Sequence, residues 1–323
     1  MQPLITIAIL NYNGFKYIEK TLSRILQLKY KNKEIIVLDN GSTDNSIDYL
    51  QTLNNIKFIR NAKNYGYSIG KNQLVNASHG EYIFLLDEDI YIENLDMLTG
   101  LIDQYSADTG FIQPLLVDIN SDTTTYYGLF ASIYGINMHK SPITVTSIQN
   151  YKQKMIPVEG GTGGCLFFKK DRWLKLGGYD ESQIFNIDDI DLGPRSIIYG
   201  YKNYLFTGIK LTHLGVNNIN NINKLSYSNR FKLIFSGHAR AVIKNYTITN
   251  IIKTFPILYI YHLFKSLKFS LKRKEPAILI AFIYSNILFI KNLRNTLKLR
   301  KIIQKRRTET RDIFLDIKIP QFD

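Results

Sequence analysis

Cysteine is almost missing from this chain: Cys165 is the one instance in 323 residues. That excludes an internal disulfide framework and points to a reducing compartment. No G-x-x-x-x-G-K-[ST] stretch occurs, so there is no P-loop. The glycines of NYGYSIGKN follow a third strand rather than a first, and they lack the G-x-G-x-x-G spacing of a dinucleotide site. No internal repeat is present. The opening residues, MQPLITIAILNYN, hold no basic leader followed by a long apolar run, so no secretory signal is expected. Long apolar runs are scarce as well. PAILIAFIYSNILFI stops at fifteen residues, short of the roughly 20 that span a bilayer. ITNIIKTFPILYIYHLF is interrupted by Lys253 and Pro256.

Acids are outnumbered by Lys and Arg, 27 to 41, giving a net charge of +14 and a pI near 9.5. The imbalance calls for an anionic partner, and nucleic acid, acidic lipid and phosphorylated substrates all qualify. Its location narrows the choice. Between Lys265 and Arg311 there are fourteen Lys or Arg and two Glu, whereas the clustered acids lie in the first two-thirds. With 45% apolar residues the chain has material for a core, and its length suits one large domain or two ordinary ones.

Apolar periodicity alternates between two kinds of segment. LITIAILNYN, KEIIVLDNG, IKFIRNAKN and EYIFLLDED read as strands. Between them, NGFKYIEKTLSRILQLKY reads as a helix with an apolar face of Phe15, Ile18, Leu22, Ile25 and Leu26. STDNSIDYLQTL reads as a helix capped by Ser42 or Thr43, and YGYSIGKNQLVNAS as a glycine-bearing loop entering a helix. Such an order predicts an α/β fold: a mostly parallel sheet covered on both faces. Beyond residue 110 the rhythm loosens. Ser147 to Met155 is expected to be a mobile or exposed loop, DRWLKLGGYDE a short helix, and Asp188 to Gly200 a helix with Pro194 in its first turn. From about Tyr227 the chain reads as helical, with basic residues between apolar ones. The expected division is a catalytic domain over 1–226 and a basic, mainly helical region over 227–323.

Ligands of such sheets lie beyond the carboxyl ends of the strands, and that is where the polar residues gather: Asn11 and Asn13, then Asp39, then Asn64, then Asp87, Glu88 and Asp89. On an extended continuation of the fourth strand, Asp87 and Asp89 face one ligand while Glu88 points elsewhere. Hard oxygen donors favour Mg2+ or Mn2+ with positions left open for substrate phosphates; a surface turn of solvated acids is the bland alternative. Asp39 is available to a ribose or a base. A second acidic group, Asp188, Asp189 and Asp191, opens a helix, where the macrodipole favours carboxylates, and one of the three is a candidate general base. His213, after a strand-like segment, is a candidate metal ligand alongside Asp89, although a lone histidine is more often structural. His79, His139, His238 and His262 have no comparable setting. Gly66 and Gly70 permit close approach to a nucleotide. Lys71 either meets a phosphate or sits in water. Gly163 and Gly164, within the run Gly160 to Gly164, would offer backbone N–H groups to an acceptor or diphosphate. Trp173 lines an acceptor pocket or simply packs.

TIAILNYNG, EIIVLDNGSTDNS, NAKNYGYSIGKNQ, YIFLLDED, GGTGGCLFFKK and DDIDLGPR, in this order, resemble the family-2 inverting glycosyltransferases of the nucleotide-diphospho-sugar transferase (GT-A) fold, and within them the rhamnosyltransferase-like branch. The resemblance covers residues 3 to 215. It implies that Asp39 reads the nucleobase with Asn11 in the same pocket, and that Asp87 and Asp89 form the DxD motif, near the ribose and on the metal respectively. It implies further that Asp189 is the catalytic base, flanked by Asp188 in place of the usual Glu, that Asp191 supports it, and that His213 completes the coordination of Mn2+ or Mg2+. The implied reaction is direct displacement from a nucleotide-diphospho-sugar by an acceptor hydroxyl. The second strand ends Asp39-Asn40 where many members have Asp-Asp, which leaves the donor open.

Two other classes compete. A nucleotidyltransferase acting on a sugar phosphate should carry a basic loop after the first strand, which LNYNGFKYI lacks. A nucleic-acid-binding protein would use the basic tail, but its aromatics lie beside Ile and Leu runs, which suit a membrane face or a core better than a single-strand groove. An inactive relative is disfavoured by the intact acids. The expected partners are therefore the sugar nucleotide, a glycan or lipid-linked acceptor, an anionic membrane surface met by an in-plane amphipathic segment and, in the assembled state, a second copy of the chain. No nucleic-acid partner is expected, and the expected location is cytoplasmic, on the inner face of the cell membrane.

Overall fold

The computed structural model describes residues 1–121, 123–126, 144–150, 152–182, 188–215 and 227–309. In chain order the elements are β1 (Ile5–Asn11), α1 (Phe15–Leu26), β2 (Lys33–Asp39), α2 (Ser46–Gln51), β3 (Lys57–Arg60), α3 (Tyr67–Ala77), β4 (Tyr82–Asp87), β5 (Ile90–Ile92), α4 (Met97–Asp103), β6 (Thr109–Asp118), β7 (Thr124–Tyr126), α5 (Val145–Asn150), β8 (Met155–Val158), β9 (Cys165–Lys169), α6 (Lys170–Leu176), α7 (Asp188–Ile198) and β10 (Lys202–His213). Three long helices follow: α8 (Tyr227–Asn245), α9 (Ile248–Arg273) and α10 (Ala277–Lys305).

The strands form one sheet in the order β3-β2-β1-β4-β9-β6-β10-β5, with β7 on β6 and β8 on β10. The β3-β2-β1-β4 half is parallel throughout, as the expected α/β reading requires. β9 then enters antiparallel between β4 and β6, while β6 and β10 run parallel to each other. The register carries the polar strand ends to one edge: Asn11 is level with Asp39, and Leu10 with Asp87.

The pleat sorts the side chains into two cores. Ile5, Ile7 and Ile9 of β1 join Phe84 and Leu86 of β4 beneath Ile18, Leu22 and Ile25 of α1. Ala8 and Leu10 face the other way with Ile83 and Leu85, where Leu74 of α3 and Trp173 of α6 cover them. That second core continues without a break into the C-terminal helices through Phe235, Leu258, Phe282 and Ile303. Truncating one such fully buried Leu or Ile typically costs about 2–5 kcal/mol. The C-terminal helices therefore form a third layer on the sheet.

Several local expectations are revised. Ser147 to Met155 is not a loop throughout: Val145 and Ile148 of α5 are buried with Leu115, Val158 and Leu205, and Met155 begins β8. Tyr151, within the same span, lies outside the described residues, as does His139. Pro194 lies inside α7, because the helix starts at Asp188. Phe15, the first residue of α1, is exposed, while Ile18, Leu22 and Ile25 make the buried stripe. Ser42 and Thr43 do not cap α2, whose N-cap is Asn45; Ser42 is drawn away by Asp39. Pro256 is accommodated inside α9.

Candidate active site

β4 ends at Asp87 and the chain turns through Glu88 and Asp89 before β5, so the three acids leave in three directions rather than alternating along a strand. Each is relieved differently. Asp87 meets the Lys71 ammonium at 2.7 Å and the Tyr67 hydroxyl at 3.1 Å. Tyr67 and Lys71 stand one turn apart on α3 and so face the same acid. Lys71 is fully buried and also donates to the Leu86 carbonyl at 2.6 Å. It does not sit in water: its ammonium contacts the end of β4. Asp89 turns to His213, whose Nε2 lies 3.1 Å from Oδ2. Burial alone would depress the His213 imidazole, but the hydrogen bond and charge of Asp89 outweigh it and raise the ring's proton affinity above the ordinary value. Glu88 folds back toward Gly14, where a Cβ would come within 2.3 Å of its Cγ. Burial pushes the Glu88 carboxyl well above the usual carboxylate range, and Asp89 and Asp87 push the same way.

β10 delivers His213 to this edge beside the end of β6, and the antiparallel pairing of β5 brings Asp89 back to it: the Leu214 N–H donates to the Asp89 carbonyl at 2.9 Å. One carboxylate and one imidazole nitrogen suit Mn2+ or Mg2+ chemically, with the remaining positions left to water and phosphate oxygens. His213 Nδ1 is buried without a hydrogen-bond partner among the described residues, and the ring's polar contact is made through Nε2. Among the described residues no group of three His, Cys, Asp or Glu side chains could hold a metal ion by protein atoms alone.

The second acidic group divides. Asp189, on the first turn of α7, accepts on one oxygen, Oδ1, from the Gly163 N–H at 2.9 Å and the Tyr179 hydroxyl at 2.8 Å. Asp188 opens α7, and its side chain lies outside the described residues. Asp191 does not support Asp189 in the cleft. It is fully buried, bonded to Arg195, to Lys244 at 2.9 Å and to Asn245 at 2.9 Å. Its two cationic partners hold it in the protein interior.

The glycine loop joins the two acids. A Cβ on Gly163 would stand 2.5 Å from the Tyr179 hydroxyl and 2.8 Å from that of Tyr67; on Gly164 it would meet Asp87 Oδ2 at 3.2 Å. The Asp87 N–H also donates to the Gly164 carbonyl at 3.0 Å. These glycines admit neighbouring side chains. Their N–H groups go to Asp189 and to Thr162 Oγ1, not to a ligand. Trp173 packs in the core, stacked on Phe168 at 4.9 Å.

The neighbouring loops are tied by amides. Asp39 is fully buried and holds four donors: the N–H groups of Gly41 and Ser42, the Ser42 hydroxyl, and Asn11 Nδ2 at 2.7 Å. That fills the acceptor positions of a carboxylate, so Asp39 as it stands organises the turn rather than facing the cleft. Asn13, in the left-handed region at φ 53°, accepts from the Thr43 N–H at 2.7 Å. Asn64 accepts from Asn40 and from the Gly66 N–H. Gly66, at φ 98°, has open space where a Cβ would be. Sequence reasoning passed over Asn40, which ties both loops together. It also passed over Tyr67 and Tyr179, whose hydroxyls reach the two acids. A Tyr following Gly66 at a helix start was the one cue available.

A mixed sheet of this order, with carboxylates at its carboxyl edge and a helical extension behind, is the GT-A fold. The likeness to solved structures agrees: the mannosyltransferase PcManGT from Pyrobaculum calidifontis in complex with GDP-Man and Mn2+ superposes with a TM-score of 0.56 at 13% identity, covering 95% of this chain and 86% of that one. S. aureus TarS 1-349 does so with 0.54 at 14%, covering 98% and 90%. Residues 6–172, just over half of the chain, match the family described as "Glycosyl transferase family 2", and the chain belongs to that family. Among curated relatives it is 34% identical over 100 residues to the glycosyltransferase GlyG of Streptococcus pneumoniae serotype 4, spanning 29% of this chain and 33% of that protein. It is 34% identical over 92 residues to the poly-beta-1,6-N-acetyl-D-glucosamine synthase of Staphylococcus aureus strain COL, spanning 28% and 22%. The chain thus matches about a third or less of the length of these relatives.

Proposed function

We propose that this chain is an inverting glycosyltransferase that moves a sugar from a nucleotide-diphospho-sugar to an acceptor hydroxyl in the making of a cell-surface polysaccharide or glycolipid. The observation that carries the reading is that Gly163 and Gly164 bring Asp87 and Asp189 together, with the Asp89–His213 pair just beyond Asp87 where β4 ends. Family membership and the curated relatives support it.

In this reading Asp189 takes the proton of the acceptor hydroxyl as its oxygen bonds to the anomeric carbon. The bond from that carbon to the diphosphate oxygen breaks, and the nucleoside diphosphate departs with the electron pair. One displacement inverts the configuration. Asp89 and His213 would hold a divalent cation, Mn2+ or Mg2+, which supplies Lewis-acid stabilisation of the leaving diphosphate. Lys71 and Tyr67 fix Asp87 beside the donor. Asn11, Asn13, Asn64 and Gly66 edge the nucleotide pocket. Asp39 contributes to base recognition through the turn it organises. The donor sugar in this reading is of hexosyl or rhamnosyl type.

The chain works at an anionic membrane surface in this reading. On α9, Ile252, Phe264 and Leu271 are 69%, 66% and 78% exposed, and Ile280 and Ile290 of α10 are each 66% exposed. Lys265, Lys268, Lys272 and Lys291 lie among them. Among the described residues α10 alone is long and apolar enough to cross a membrane. It nevertheless packs on the protein along its length, from Ile278 and Phe282 to Thr296 and Ile303, which favours lying in the plane of the lipid.

The test is donor binding and turnover with UDP-, GDP- and dTDP-sugars with and without Mn2+. Asp89→Ala should lose metal-dependent binding, and Asp189→Asn should bind donor but not transfer. Tight binding that ignores chelator and both substitutions would sink the reading. For the membrane, Phe264→Glu with Leu271→Glu should abolish cosedimentation with phosphatidylglycerol vesicles. Equal recovery on phosphatidylcholine vesicles would refute the electrostatic part.

A further inference from the structure

We infer that Tyr179 is a positioning residue for Asp189, and that helix α3 sets the spacing between the donor-side and the acceptor-side acids. The inference rests on the reading of Asp189 as the base.

Tyr179 has a packing role that its ring alone would satisfy. The ring stands edge-on to Trp173, centroids 4.9 Å apart at 81°. A phenylalanine would fill that space equally. The hydroxyl, however, lands on Asp189 Oδ1 at 2.8 Å, sharing that oxygen with the Gly163 N–H. Two donors on one carboxylate oxygen fix its rotamer and favour its ionised, proton-accepting form.

The placement of Tyr179 is itself imposed by α3. Asn72 accepts from the Tyr179 N–H at 3.0 Å and donates to its carbonyl at 3.0 Å. Gly178, at φ 66°, is a required glycine, because a Cβ there would stand 2.5 Å from Asn72 Oδ1 and 2.8 Å from Trp173 Nε1. The residue before Asn72 is Lys71, and one turn earlier is Tyr67; these two hold Asp87. One helix therefore grips both acids, Asp87 directly and Asp189 through Tyr179, and Gly163 is the spacer on which both tyrosine hydroxyls converge. Relative placement of nucleophile activator and leaving-group site governs the rate of a displacement, and errors near 1 Å are costly.

The experiment uses the full chain and hydrolysis of the donor, with water as acceptor. The donor is whichever of UDP-GlcNAc, GDP-mannose and dTDP-rhamnose the wild type cleaves fastest with Mn2+. Tyr179→Phe should lower kcat by about 10- to 100-fold with donor KM within about twofold. It should also move the acid limb of the pH–rate profile upward by about one unit, because the carboxylate loses a donor. In an Asp189→Asn background the same substitution should add nothing. Titration of 13C-carboxyl-labelled aspartates by NMR, with Asp189 assigned by its loss in Asp189→Asn, should show the same upward move without any turnover. If Asp189→Asn is dead while Tyr179→Phe keeps its kcat, acid limb and carboxyl titration, Tyr179 is merely structural and the inference is overturned. If Asp189→Asn still turns over, the base reading fails, and the inference with it.

Discussion

Two acidic groups of this molecule are compensated in opposite ways. Asp87, Glu88 and Asp89 share one buried ammonium, that of Lys71, and one imidazole, that of His213. Asp180 and Asp191, the latter on α7, share three buried cations: Arg195, Arg240 and Lys244. Lys244, with no exposed surface, sits 2.6 Å from one carboxylate and 2.9 Å from the other. The first group lacks cationic charge and lies at an open sheet edge. The second has a cationic excess and is largely buried where α7 meets α8. On the proposed reading the first group would take the positive charge of a metal-bound donor, whereas the paired acids of the second hold layers together.

Breaking each group should therefore fail in a different observable. The largest effect is expected at the open edge. Asp89→Ala should lower Mn2+-dependent donor turnover by roughly 10³-fold, on the several kcal/mol a metal contributes at a displacement, with little change in urea midpoint. Next comes the sealed group: Lys244→Met leaves two buried carboxylates without their shared partner and should cost about 3–5 kcal/mol in urea unfolding. Should Lys244→Met leave stability unchanged while turnover collapses, the contrast is wrong.

Acid provides a finer cut. Burial alone would raise the Asp180 carboxyl, but Lys244 and Arg240 outweigh it and hold it well below the usual range. A depressed carboxyl stabilises the fold above the unfolded value near pH 3.9, and that contribution drains away as pH falls toward the folded value. Wild type should lose stability steeply below about pH 4, and Asp180→Asn should flatten that slope in pH-dependent urea melts. The smallest effect is expected at the buried His238–His262 pair, whose ring nitrogens are 2.9 Å apart. Burial, His238 and Lys265 push His262 down to about 2. The unfolded chain takes up a proton there below about 6.5 while the folded one does not, so stability should fall by about 2 kcal/mol between pH 7 and 5. His262→Gln should remove that drift.

Much of the parallel half was legible because period-two apolar strands end on polar residues: Asn11, Asp39 and Asp87 fall on one edge once the register is right. The pairing of Asp89 with His213 was legible too, as two metal-type donors at strand ends. What escaped notice depends on distance through space. Nothing near Asp191 in the chain indicates that Lys244, more than fifty residues on, will neutralise it. Lys71 reads as a surface lysine until the fold buries it under Leu86. Tyr179 has no distinguishing mark in the sequence, and only the fold brings its hydroxyl to Asp189 beside Gly163. Ser42, a reasonable cap by type, was captured by the stronger acceptor Asp39.

The C-terminal helices share an uninterrupted apolar core with the sheet, through Phe235, Phe282 and Ile303 alongside Trp173 and Leu192. They cannot be exchanged between relatives as a detachable anchor. A chimera would have to swap α8 together with Asp180 and α7, since Arg240 and Lys244 of α8 pair with Asp180 and Asp191, and a fragment cut after residue 226 would expose a greasy face and precipitate.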